Sequence, residues 1–97
     1  MAKPVELLPA ALAEAESATA WYAERDPKVA GAFALEIEAA LERIAIAPGR
    51  WPAHHHGTRR VLLKRFPFQI VYREEVARVL VVAVSHTKQK PGYWRKR

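Results

Sequence analysis

Cysteine is absent from the chain, so neither a disulfide framework nor thiolate chemistry is available to it. That absence fits a reducing compartment. Long apolar runs are missing too, and nothing approaches the ~20 consecutive apolar residues that a transmembrane helix needs. The opening MAKPVELLPAALAEAES has one early lysine and a short apolar run soon broken by glutamate, which does not make a signal peptide. The expectation is a soluble, cytoplasmic protein with no membrane partner. Repeats, low-complexity tracts and linkers are also lacking, and 97 residues suit a single domain over 1–97. A domain this small leaves little room for an enclosed cavity, so a site is expected on an open surface or in a shallow groove.

Acidic residues are scarce in one half only. Residues 1–49 hold 4 Lys/Arg against 8 Asp/Glu, whereas residues 50–97 hold 12 against 2. A segregated positive half is the electrostatic footprint of a partner such as nucleic acid or an acidic protein. It is equally what a solvated basic face with no dedicated partner looks like. The hydrophobic content of 51% excludes a disordered basic tail as the whole explanation.

The pattern along the chain predicts the order β-α-α-β-β-β. Residues 3–8, KPVELL, read as a short strand that Pro4 confines to an edge or a strand start. Residues 10–25 read as a helix, with Leu8, Leu12, Ala15, Thr19 and Tyr22 stepping along one face. Asp26-Pro27 then marks a new start, because aspartate can accept from the free N–H groups of a helix and proline tolerates the first helical position. The second helix is predicted from Pro27 to Ala47, with Phe33, Ile37, Leu41 and Ile44 as its apolar stripe, widened by Ala30 and Ala40. Pro48-Gly49 ends it.

After a loop at 49–58, three strands are predicted. They run from Arg60 to Phe66, from Phe68 to Arg73, and from Arg78 to His86, with reversals at Pro67 and Glu74–Ala77. Alternation places Phe68, Ile70 and Tyr72 on one face of the second and Gln69, Val71 and Arg73 on the other. The apolar run Val79–Val84 suggests a central strand covered on both faces. The fold class is therefore α+β, with a helical hairpin on one face of a small antiparallel sheet. The other face must be partly polar or covered, and function is expected there.

Candidate chemistry is concentrated in the last third. His86 has the side chain best suited to acid–base work near neutral pH, although a histidine at a strand end also serves as a simple hydrogen-bonding cap. His54, His55 and His56 are consecutive in a loop without a nearby carboxylate, which is a poor metal pattern. No metal or cofactor is expected. Tyr93 and Trp94 sit beside Arg95, Lys96 and Arg97, where they could stack on bases, pack the tail against the helices or dock a protein partner. Trp21 and Trp51 are expected to be packing residues, and Tyr72 falls with the core.

Five segments taken in order resemble the RelE/ParE superfamily, the toxins of type II toxin–antitoxin modules. They are VELL, AWYAERDP, LERIAIAPGRWP, RRVLLKRFPFQIVYR and VVAVSHTKQKPGYW. The second and fourth lie closer to the ParE side. The resemblance covers nearly the whole chain and implies a small curved antiparallel sheet carrying a helical hairpin. In the ParE branch it implies a non-enzymatic poison of DNA gyrase, linked with plasmid stabilization and growth inhibition. In the RelE branch it implies an endoribonuclease that cuts mRNA on the ribosome. In either branch a cognate antitoxin is expected, carrying an acidic amphipathic segment that covers the helices and the positive sheet edge.

The RelE chemistry requires a base for the 2′-hydroxyl, an acid for the leaving oxygen and cations for the phosphorane. Carried over by resemblance, the tyrosine falls on Tyr93. The arginine of the hairpin falls on Gln69, and the arginine after the last strand falls on Thr87. One second-strand cation falls near Arg60 and the other on Leu62. The ParE-like gyrase poison is thus the leading reading. A ribonuclease using His86 and Tyr93 is the alternative, and a family member that binds antitoxin without toxicity is a third. The residues expected to meet a target or nucleic acid are Arg59, Arg60, Lys64, Arg65, Arg73, Lys88, Lys90, Trp94 and Arg95.

Overall fold

A computed structural model describes residues 3–97 of the protein. The elements are β1 (Val5–Leu7), α1 (Pro9–Arg25), α2 (Pro27–Ile46), β2 (Arg59–Leu62), β3 (Phe68–Glu74) and β4 (Val79–His86), in the predicted order. The strands form one open sheet in the order β1-β4-β3-β2. β2, β3 and β4 make the antiparallel meander, while β1 pairs parallel to β4, with Val5 opposite Val79. The sheet is therefore mixed rather than purely antiparallel. Two helices separate β1 from the meander, and a crossover of that length returns the chain in the parallel sense.

The helical hairpin covers one face. The Asp26 side chain accepts from the Lys28 N–H at 3.0 Å and Pro27 occupies the first position of α2. Along α2 the buried set is Ala30, Phe33, Ile37, Ala40 and Ile44, as the periodicity predicts. On α1 the stripe is rotated from the expected one. Ala11 and Ala18 are buried, with Leu8, Ala15 and Tyr22 packed against the core, while Leu12 is 48% exposed. The 3,4,3,4 spacing of positions 8, 11, 15, 18 and 22 follows the helical period, and alanines at the centre let the helix lie close to the sheet. Trp21, expected to pack, is pushed to the flank and is 51% exposed. Tyr22, Phe33, Phe66 and Phe68 join the hairpin to the end of the sheet through tilted and edge-on ring contacts.

β4 is central and buried on both faces, as its apolar run predicts. An irregularity lies opposite Val71–Tyr72: Val71 pairs with Ala83 and Tyr72 with Val81. Val82 is the additional residue, so the alternation of β4 changes phase there. Val79, Val81 and Val84 face the helices, whereas Leu80, Val82 and Ala83 join Val71 on the second face.

β2 is shorter than the segment Arg60–Phe66 suggests. Its last ladder bond is from Leu63 N–H to Phe68 C=O at 2.9 Å. Beyond it the Glu36 carboxylate of α2 accepts from the backbone N–H groups of Lys64 and Arg65 and draws the chain off the sheet.

The second face is covered by the chain's own tail. Trp94 is 1% exposed and packs on Val71, Leu80, Val82 and Ala83. Its ring stacks on His54 with centroids 5.3 Å apart. Gly92 adopts φ 87°, and a Cβ at that position would lie 2.8 Å from His56 Nε2, so the turn that seats Trp94 against the histidine loop requires glycine. Among the described residues no helix is long and apolar enough to cross a membrane.

Candidate functional site

The basic residues of the last third do not form one free face. Three of those expected to meet a target are turned inward. Arg59 donates to the Trp51 carbonyl at 2.6 Å, Arg60 to Gln69 Oε1 at 3.1 Å, and Arg73 to the Arg97 carbonyl at 2.9 Å. Trp94, placed in the same group from sequence, is buried and belongs to the packing of the second face. Lys64, Arg65, Lys88, Lys90 and Arg95 are exposed. The β2–β3 turn carries Lys64 and Arg65, and the turn after β4 carries Lys88 and Lys90. These turns adjoin: Phe68 pairs with His86, and the Thr87 N–H donates to the Pro67 carbonyl at 2.8 Å. The fold thus gathers four exposed cations at one end of the sheet.

A groove of about 740 Å³ opens at that end, between α1 and the outer edge of β4. Ala13, Ser17 and Trp21 form one wall, and Phe68, Val84 and His86 lie across from them. The Arg25 guanidinium lies 3.5 Å from the centroid of the Trp21 ring. Sequence reasoning missed this groove. The only legible signal was the alternation of small residues with one tryptophan along α1, and the rotation of the helix decided which of them would stay uncovered.

Glu14, at the margin of the groove, ties three elements together. Its carboxylate accepts from the Tyr93 hydroxyl at 2.6 Å, from Arg97 Nη1 at 2.8 Å and from the Val84 N–H at 3.0 Å. Arg97 also donates to the Val82 carbonyl at 3.0 Å. Val82 and Val84 lie beyond the end of β1, so these side chains satisfy main-chain groups that a neighbouring strand would otherwise take. Burial and the adjacent Glu14 carboxylate push the Tyr93 hydroxyl well above its ordinary pKa, and the hydrogen bond to Glu14 raises that of Arg97.

His86 ends β4 as a hydrogen-bonding cap. Its Nδ1 accepts from the Lys88 N–H at 3.1 Å, its own N–H donates to Gln89 Oε1, and its carbonyl accepts from the Gln89 N–H. Gln69, where the resemblance would put an arginine, is 4% exposed and donates to Ser85 Oγ at 3.1 Å. Leu62 is 53% exposed and supplies no charge. His54 is stacked on Trp94, and burial together with Arg60 lowers its pKa. Among the described residues no group of three side chains that could hold a metal comes together.

This arrangement can present an apolar groove beside positive charge. It holds Tyr93 and His86 in structural hydrogen bonds. Residues 5–91 match the family described as ParE toxin of type II toxin-antitoxin system, parDE. A solved structure titled "Chromosomal ParDE TA system from P. aeruginosa" has a similar fold, with a TM-score of 0.77 at 16% identity, covering 87% of this chain and 95% of that one. No match is found among curated proteins.

Proposed function

The chain belongs to the ParE toxin family of type II toxin–antitoxin systems, and from that premise we propose that it is a growth-inhibiting toxin that poisons DNA gyrase and is neutralised by a cognate antitoxin. One observation carries the choice of a binding mechanism over RNA cleavage. The side chains that the cleavage reading needs are committed to the fold, the Tyr93 hydroxyl to Glu14 and His86 Nδ1 to the Lys88 N–H, and the position where it wants an arginine holds Gln69, which donates to Ser85. A catalytic tyrosine or histidine requires freedom to exchange a proton with the reacting group. A pKa raised by burial and by a carboxylate partner works against that role for Tyr93.

The exposed Lys64, Lys88 and Lys90 at the sheet end and Arg95 in the tail remain available for gyrase or the DNA it holds, whereas Arg65 is paired with Glu36 at 3.4 Å. The inward-turned Arg59, Arg60 and Arg73 keep the surface rigid rather than meeting the target themselves.

Expression of the chain without antitoxin tests the reading. Growth arrest with inhibited supercoiling and intact mRNA is the expected result. Cut mRNA with normal supercoiling would replace it by a ribosome-dependent endonuclease, and unimpaired growth would leave a protein that binds antitoxin without toxicity.

A further inference from the structure

Residues 92–97 form a strap across the second face of the sheet, and the strap is seated against a titratable ring. Trp94 is its centre. The indole covers Val71, Leu80, Val82 and Ala83 and stacks on His54, with ring centroids 5.3 Å apart and planes 25° from parallel. Farther along, Arg97 reaches Glu14 and the Val82 carbonyl. Among the described residues, the strap's own main-chain bonds are local: Arg95 N–H to the Gly92 carbonyl at 3.0 Å and Arg97 N–H to the Trp94 carbonyl at 2.8 Å. Side chains, not a ladder, hold it to the sheet. The histidine loop is tied down by main chain instead. Ala53 bridges to Arg59, the Arg60 N–H donates to the Pro52 carbonyl at 3.2 Å, and the His54 N–H donates to the Thr58 carbonyl at 2.8 Å. When loop and strap separate, the strap is the part that moves.

His54 Nε2 is buried and has no hydrogen-bond partner among the described residues. A neutral imidazole tolerates that position. An imidazolium carries an N–H at both ring nitrogens and would bury a charged donor with nothing to accept from it, which is costly. The surroundings offer no compensation. Arg60 of β2 and the His55 ring, 4.7 Å away in the same loop, are the charged and titratable groups that act on His54, and no carboxylate is among them. The strap itself brings Trp94, while Tyr93 turns its hydroxyl to Glu14 and Gly92 lies against His56. Burial first, then Arg60 and His55, hold the His54 pKa below the ordinary value of 6.5. The closed strap therefore favours the neutral ring, whereas an open strap returns the ring to water and to its ordinary value. The open state binds more protons, so closure weakens as the pH falls through about 6.5 and is indifferent to pH above it.

We propose that residues 92–97 are a pH-sensitive strap latched by neutral His54, and that protonation of this ring releases Trp94 and uncovers the apolar face of Val71, Leu80, Val82 and Ala83. Release also takes Arg97 from the Val82 carbonyl and leaves that part of the β4 edge unguarded. The device is independent of the toxin reading, because it concerns only how the chain closes on itself.

The test uses the full chain and the indole N–H of Trp94, which is buried and meets solvent when the strap opens. Its hydrogen exchange is read by nuclear magnetic resonance as a ratio to that of Trp21, whose side chain is half exposed and serves as the internal reference. Between pH 7.5 and pH 5.5 the ratio is expected to rise by about three- to tenfold. His54→Phe keeps a ring on Trp94 and cannot titrate, and His54→Gln is the second variant should the first not fold. In either the rise is expected to vanish, whereas His55→Gln is expected to retain it. A ratio that does not change with pH in the parent chain would overturn the proposal. So would one that falls in acid, the outcome expected if attraction of an imidazolium to the indole face prevailed. A rise that survives in a folded His54 variant, or one lost in His55→Gln, would place the titrating group elsewhere and overturn it too.

Discussion

Tyr93 illustrates how one residue changes meaning between chain and fold. Beside Lys90 and Arg95 in sequence it looks like a catalytic or base-stacking side chain. In the structure its hydroxyl reaches across to Glu14 of α1, a partner 79 positions away that no local pattern reveals. Tyr93→Phe removes a hydrogen bond to a charged group and is expected to cost roughly 1.5–3 kcal/mol of stability, measured by urea unfolding. Growth arrest at permissive temperature should persist in that variant. Abolished mRNA cleavage with unchanged stability would instead place Tyr93 in chemistry. Tyr72 is a quieter case. Its hydroxyl donates to the Pro48 carbonyl and burial pushes its pKa up to about 12, which suits a core residue pinned under the end of α2.

At the level of elements, the junction between the helices depends on two adjacent residues. The Asp26 N–H closes α1 on the Tyr22 carbonyl at 2.8 Å, while its side chain opens α2. Asp26→Ala is expected to lower stability by about 1 kcal/mol, seen as a shifted denaturation midpoint with an unchanged slope. Because the junction lies one residue from Arg25 and its contact with Trp21, the same variant tests whether the groove wall depends on helix capping. β4 shows the opposite case. Its run of apolar residues announces a buried strand, but the extra residue at Val82 is invisible in a stretch where every position is apolar, since no alternation exists to be interrupted.

For the whole molecule, the contrast between an acidic first half and a basic second half is partly cancelled by ion pairs that join the two, Arg65 to Glu36, Arg78 to Glu6 and Arg97 to Glu14. The fold withdraws Arg59, Arg60 and Arg73 from it and leaves the charge at the end of the sheet beside the groove. Long-range attraction should therefore speed the encounter with an acidic antitoxin. Raising salt from ~50 mM to ~300 mM is expected to slow association several-fold while dissociation changes little, a difference that stopped-flow or surface-binding kinetics can read. A salt effect confined to dissociation would put the charges inside the contact rather than around it.

Periodicity, the Asp26-Pro27 start, the Pro48 stop and the proline and acidic reversals were enough to fix the order of elements, because these signals act within a few residues of one another. The second helix's buried stripe and the inward face of Phe68, Ile70 and Tyr72 followed for the same reason. Which side chains remain free was decided only in three dimensions. The rotation of α1 exposed Trp21 and hid Ala18. The tail folded back to bury Trp94, and Glu14, Gln89 and Arg97 closed the edge of β4. Each of these depends on contacts between distant segments competing for the same backbone groups and the same apolar surface, and only the assembled sheet and hairpin settle that competition.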